Sequence, residues 1–446
     1  TRGRTKVIRG PSCRFTVLIL GLDFILAKAV HSTSSYGPPS VVMAIKRASE
    51  WRKLPMTLSE LCIDTTLRCG QSFRWREIND EWTCALHGRI LSLKQDPQHL
   101  HYRVTWPEPP QATLTPPSAN GVGLRGQDDT EELLCRYFSL SLDLGALYEQ
   151  WSSADANFRK RAPEFTGVRI LSQDSWEALV CFICSSNNNI SRISQMIHKL
   201  CKHYGPFIGH VGDETLHDFP SPDSLTGKQV ESHLRELGFG YRAKYIAETA
   251  RVVAQEKPPL WLESLRNPEH QGLQSWSGPK SPKSTYKEAH EALLSLTGVG
   301  PKVADCVCLM GLGWGESVPV DTHVWQIAQR DYKFGKTKSK TFNKAMYDAV
   351  GDHFRGIWGQ YAGWAHSVLF TADLREFSDR KVKKEDIQAV ETQTSVIDDM
   401  AAAGRRKRSA TVKTEVTNEA KVEDTKDGVL LQVDRVSKKR RTRRRP

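Results

Sequence analysis

The sequence predicts an α+β fold, a small antiparallel sheet followed by a mostly helical body, and three observations carry that prediction. Between Trp51 and about Thr105, short runs rich in β-branched and aromatic residues alternate with turn residues. From Asp129 onward, apolar residues recur at helical spacing. Between the two regimes, residues 107–126 hold five prolines and three glycines, the composition of a loop. Four segments follow: an extension at 1–50, the sheet and its loop at 51–126, the helical body at 127–376, and a tail at 377–446.

The extension carries 8 basic and 2 acidic side chains, and its apolar run from Phe15 to Val30, broken by Asp23, is short for a membrane helix. It reads as a mitochondrial presequence, or as residues ahead of a natural start at Met43. Strands are expected in LSELCIDTTL, SFRWREI, EWTCALHGRILSLK and HLHYRVTW, with a turn at Asn79-Asp80. In the body, Asp129 with Glu132 and Asp174 with Glu177 have capping-box spacing. The polar run Ser186-Asn187-Asn188-Asn189 should join two helices. Further helices are expected over 191–203, 228–236, 242–255, 286–296, 302–311, 322–331, 342–355 and 360–373, with a Pro/Gly/Ser-rich loop inserted at 267–285. The tail is charged, poor in aromatics and ends in KKRRTRRRP, so it cannot bury enough surface to fold.

The chain's net charge of +12 resides at its ends: +6 in residues 1–50 and +7 in 397–446, against −1 for everything between. A nucleic-acid partner would therefore be met by a local basic face of the body rather than by its total charge. Ten cysteines in 446 residues are too sparse for a disulfide framework and suit a reducing compartment. Cys181, Cys184, Cys306 and Cys308 lie in apolar runs and lack zinc-ligand spacing, and no cysteine follows Cys308.

The most informative stretch is Tyr286–His323, YKEAHEALLSLTGVGPKVADCVCLMGLGWGESVPVDTH. An amphipathic helix with Ala289, Leu293 and Leu296 on one face meets Gly298-Val299-Gly300, and a second helix starts at Pro301. The two glycines permit positive φ and close approach of another backbone, and the free amides of the second helix suit a phosphate. Lys302 lies in that first turn, where the helix dipole disfavours a cation and so favours a neutral, nucleophilic amine. Asp321 follows an extended apolar run and precedes another helix. Taken singly, Asp321 reads as an N-cap and Lys302 as a surface residue.

Together, GVGPKVADC and VPVDTH resemble the helix-hairpin-helix DNA glycosylases. CGQSFRW at 69–75, FICSSNNNISRI at 182–193, LGFGYRAKY at 237–245 and YAGWAHSVLFTADL at 361–374 extend the resemblance to the eukaryotic-type 8-oxoguanine DNA glycosylases, over roughly residues 51–376. Related endonuclease III-type enzymes carry a four-cysteine iron–sulfur cluster after this region, which this chain cannot build.

The resemblance implies a monomeric glycosylase/lyase acting on damaged duplex DNA in the nucleus and, with a presequence, in mitochondria, without metal or organic cofactor or membrane attachment. It assigns Lys302 as nucleophile and Asp321 as the carboxylate that stabilises charge on the sugar. It places the flipped base among Gly70, Cys306, Pro319, His366 and Phe370. The Gly70 carbonyl would accept the N7 hydrogen that 8-oxoguanine has and guanine lacks. Asn187, Arg192 and Arg242 would meet the cytosine left behind, Tyr241 would wedge beside it, and Gly298, Gly300 and His323 would contact the backbone. His366 departs from the glutamine of many members and brings a pH dependence that an amide lacks. Thr297 stands where the hairpin often has proline. The alternatives are a related glycosylase for oxidised pyrimidines or alkylated purines, and a DNA-binding module without catalysis, which would need neither Lys302 nor Asp321.

Overall fold

The computed structural model describes residues 48–107, 128–270, 284–335 and 343–377. The expectations for the N-terminal extension, the Pro/Gly loop, most of the 267–285 insertion and the basic tail therefore lie outside the described residues.

Five antiparallel strands form the sheet: β1 (Arg52–Pro55), β2 (Arg76–Ile78), β3 (Glu81–Leu86), β4 (Arg89–Gln95) and β5 (His99–Thr105), in the order β1-β5-β4-β3-β2. Two two-residue turns set its register. Asn79-Asp80 joins β2 to β3 and His87-Gly88 joins β3 to β4, with positive φ at both residues of each pair, as tight hairpins require. The segment LSELCIDTTL does not pair as a strand. Its core is a helical turn, α1 (Ile63–Thr66), held by tertiary bonds from the Ile63 amide to Gln95 and from the Thr66 hydroxyl to the Gly167 carbonyl.

Thirteen further helices are described: α2 (Thr130–Tyr137), α3 (Leu144–Ala154), α4 (Ala156–Arg161), α5 (Ser175–Ser185), α6 (Ile190–Tyr204), α7 (Val230–Glu236), α8 (Arg242–Arg251), α9 (Trp261–Ser264), α10 (Tyr286–Leu294), α11 (Pro301–Met310), α12 (Thr322–Asp331), α13 (Lys344–Trp358) and α14 (Ala362–Asp373). The helix expected over 242–255 changes at Val252 into a wider π-turn. None of the described helices is long and apolar enough to cross a membrane.

Leu91, Leu93, Leu100, Tyr102 and Val104 on one face of the sheet pack on Leu133, Leu134 and Tyr137 of α2. The other face is covered by a hairpin not anticipated from the sequence, β6 (Phe207–Val211) and β7 (Glu214–His217), through Ile208 and Leu216 against Ala85 and Ile90. The main core lies in the helices around α5, whose residues are buried almost all round and which packs closely on α11.

Both expected capping boxes are altered by tertiary charge pairing. Asp129 makes no cap bond, because its carboxylate receives Arg89 at 2.5 Å. Asp174 accepts from the Glu177 amide at 2.9 Å, but Glu177 turns away to the buried Arg74 at 2.7 Å, and Arg74 also meets Asp218 at 2.9 Å. A complete capping box occurs instead at Thr285 and Glu288, where it starts the hairpin's first helix.

Candidate active site

α10 ends at Leu294 and the chain turns through Thr297-Gly298-Val299-Gly300 into α11. The two glycines differ in what they do. Gly298 has φ of +81°, and a Cβ there would lie 2.5 Å from the Tyr245 ring; the Thr297 carbonyl beside it accepts from Thr249. Gly300 caps α11 at φ of −95° with nothing within 4 Å of an added Cβ. Positive φ and close packing are thus requirements of Gly298 alone, and the space over Gly300 and the α11 amides is open.

Lys302, in the first turn of α11, points back across α5. Its Nζ donates to the Ser185 hydroxyl at 3.0 Å and lies 5.2 Å from the Phe182 ring centre. One turn on, Cys306 is buried, and burial pushes its thiol up to about 11 although the Lys302 charge opposes the shift. After α11 the run from Ser317 to Val320 is extended and buried but joins no sheet. It delivers Asp321 to the N-cap of α12, where one carboxylate oxygen accepts from the His323 and Val324 amides at 2.9 and 3.0 Å.

Lys302 and Asp321 line the same narrow cleft of about 50 Å³, together with Gly70, Cys306, Pro319, His366 and Phe370. The structure therefore brings together all seven residues predicted for chemistry and base contact. A larger concavity of about 820 Å³, between α2 and residues 313–316, contains none of them. In the cleft, His366 is 5% exposed and its ring nitrogens make no well-formed hydrogen bond to the described residues beyond an approach to the Gly363 backbone. Desolvation lowers it to about 4, with the Asp321 charge opposing, so it is neutral at pH 7 and its titration is displaced well into acid. Phe370 is half-buried, with its ring centre 6.3 Å from that of His366.

Of the residues predicted to face DNA, Asn187, Arg192, Tyr241 and Arg242 gather where α5 ends and α6 and α8 begin, whereas Gly298 and Gly300 form the hairpin and His323 lies at the start of α12. Asn187 is exposed at φ of +48°, and Arg192 is exposed in the first turn of α6, which Asn189 caps. Tyr241 is 45% exposed and donates to the Ser186 carbonyl at 3.0 Å. Arg242 is not a solvated helix start: it is buried, it packs under the Tyr241 ring, and its guanidinium donates to the Ser186 and Asn187 carbonyls. His323 is exposed at the start of α12 with its ring edge-on to Phe370.

Sequence reasoning passed over Phe182, Gln71 and Ser185. Phe182 and Ser185 lie three apart in FICSSNNN, on the helix face that α11 packs against, and that spacing was the available signal. Gln71 fixes the loop that carries Gly70: its side chain donates to the Arg169 carbonyl at 2.8 Å and accepts from the Leu171 amide at 3.0 Å.

The family model described as HhH-GPD superfamily base excision DNA repair protein matches residues 180–347, the greater part of the helical body and the whole of the hairpin. The model for the 8-oxoguanine DNA glycosylase N-terminal domain matches residues 53–179. Among relatives, N-glycosylase/DNA lyase from Saccharomyces cerevisiae is 39% identical over 338 residues, covering 72% of this chain and 86% of that protein. N-glycosylase/DNA lyase OGG1 from Arabidopsis thaliana is 34% identical over 331 residues, covering 73% and 80%. A solved structure of MBOgg1 in complex with low affinity DNA ligand aligns with a TM-score of 0.56 at 26% identity, covering 74% of this chain and 98% of that one. The chain belongs to the 8-oxoguanine DNA glycosylase family, as an N-glycosylase/DNA lyase of base excision repair.

Proposed function

We propose that the substrate is 8-oxoguanine opposite cytosine in duplex DNA, and that Lys302 is the nucleophile. The observation that carries the reading is the convergence of Lys302 and Asp321, from different helices, on one cleft with Cys306, His366 and Phe370. A DNA-binding module without catalysis has no need for a cleft that joins an amine to a carboxylate.

The flipped nucleotide enters between Cys306 and Phe370, which must separate to admit a purine. The Lys302 nitrogen bonds to C1′ and gives up a proton as the glycosidic bond breaks, and the base departs with the bonding electrons. The Asp321 carboxylate, held in place by two backbone amides, stabilises the positive charge that develops on the sugar. Opening of the sugar gives a Schiff base, and loss of a C2′ proton with cleavage of the C3′–O bond nicks the strand. The open helix start over Gly300 accommodates a phosphate, and the Gly70 carbonyl tests for the N7 hydrogen. The protein works as a monomer in the nucleus, which the terminal basic clusters suit, and in mitochondria if the extension serves as a presequence.

A nicking assay on duplexes carrying 8-oxoguanine opposite C, 8-oxoguanine opposite A, thymine glycol or no lesion should show cleavage chiefly of the first. Preference for thymine glycol would reassign the substrate. Lys302→Gln should bind lesion DNA yet escape borohydride trapping; continued trapping would place the nucleophile elsewhere.

A further inference from the structure

The reading of Lys302 as nucleophile leaves one of its contacts without a role. Ser185 ends α5, and its hydroxyl donates its only proton to the Phe182 carbonyl at 2.7 Å. Its oxygen can therefore only accept, and it takes an N–H of Lys302 at 3.0 Å. Because the Ser185 hydroxyl accepts from the Lys302 amine and does not donate to it, it leaves the amine's lone pair alone, whereas a serine with an unspent proton would donate to that lone pair and quench it. The Cys306 side chain is the amine's second hydrogen-bond neighbour. The Phe182 ring restricts the same amine from another side.

The next two carbonyls lead elsewhere. Ser186 O receives the Tyr241 hydroxyl at 3.0 Å and the Arg242 guanidinium, which also reaches Asn187 O at 3.1 Å. Any shift of Tyr241 or Arg242 on meeting the base opposite the lesion is thus passed along a single peptide to Ser185. We propose that Ser185 is a positioning residue that fixes the Lys302 amine and links it to the turn that contacts the opposite base. This rests on the function proposed above.

The test uses full-length protein on duplexes with a preformed abasic site opposite C or A, which bypasses the base pocket, and measures the rate of borohydride trapping at saturating enzyme. Ser185→Ala should slow trapping opposite C about fivefold to tenfold, the effect of one lost hydrogen bond. DNA affinity should stay within about twofold, and the C-over-A rate ratio should fall toward one. Ser185→Thr, which keeps the hydroxyl, should restore both. Trapping of Ser185→Ala at the wild-type rate, equal slowing on both duplexes, or failure of the threonine to rescue each overturns the link while leaving Lys302 as nucleophile. Trapping of Lys302→Gln would instead overturn the reading beneath it.

Discussion

The two hairpin glycines offer a paired test of what belongs to the fold and what belongs to the ligand. In Gly298→Ala, an alanine must adopt φ of +81° and place its methyl 2.5 Å from atoms of the Tyr245 ring. Left-handed backbone costs an L-residue about 1–2 kcal/mol, and overpacking against a ring adds about 1–3 kcal/mol. A loss of about 2–5 kcal/mol is expected, and since Tyr245 is in edge contact with Tyr241, the wedge should move as well. In Gly300→Ala, φ of −95° suits alanine and no protein atom lies within 4 Å. Reduced freedom of the unfolded chain and a weaker N-cap nearly offset, leaving stability within about 0.5 kcal/mol of wild type. Its methyl does intrude where a phosphate would approach the α11 amides. Loss of one charge-assisted contact, about 1.5 kcal/mol or more, weakens DNA binding about tenfold. Urea denaturation and fluorescence anisotropy with lesion duplex, both in a Lys302→Gln background to prevent turnover, measure the two effects. If Gly300→Ala loses as much stability as Gly298→Ala, or binds DNA as tightly as its parent, the division of labour is refuted.

Other outcomes follow from buried charge. His366 is lowered to about 4 in the fold from an unfolded value of about 6.5, so its contribution to stability is complete above pH 6.5 and is lost as pH falls toward 4. Across that window wild type should lose about 3 kcal/mol relative to His366→Gln in urea unfolding, and parallel pH curves for the two would sink the idea. Arg74→Leu leaves Glu177 buried without its partner and should cost about 3–5 kcal/mol. Adding Glu177→Leu should recover a large part of that loss; a double variant no more stable than the single would argue against the pairing.

The hairpin, its lysine and the carboxylate were legible because they are written locally: a glycine turn, a helix start and a helix cap each follow from a few adjacent residues. The reading of Asp129 and Glu132 as a capping box failed because Arg89, forty positions earlier, takes the Asp129 carboxylate. Spacing along a helix carries no information about such a partner. The β6–β7 hairpin did have a local signal, Gly212-Asp213 between residues of mixed polarity, but its purpose is tertiary, to cover Ala85 and Ile90. The turn at Ile63–Thr66 shows the same limit, since β-branched residues there were overruled by bonds to Gln95 and Gly167. In the cleft, residue types pointed to His366 but not to how deeply its ring is buried, which depends on how α14 packs.

The hairpin that covers the far face of the sheet has a consequence for how the molecule can be divided. Ile208 and Leu216 come from more than a hundred positions beyond the strands they shelter, and the Arg74 guanidinium next to those strands draws both its carboxylates from the same later part of the chain. The sheet and this later segment are dovetailed rather than strung together. A fragment stopping after β5 would be left with a greasy flank and a stranded cation, whereas a single cut between β5 and α2 would leave two pieces with good reason to stay clasped.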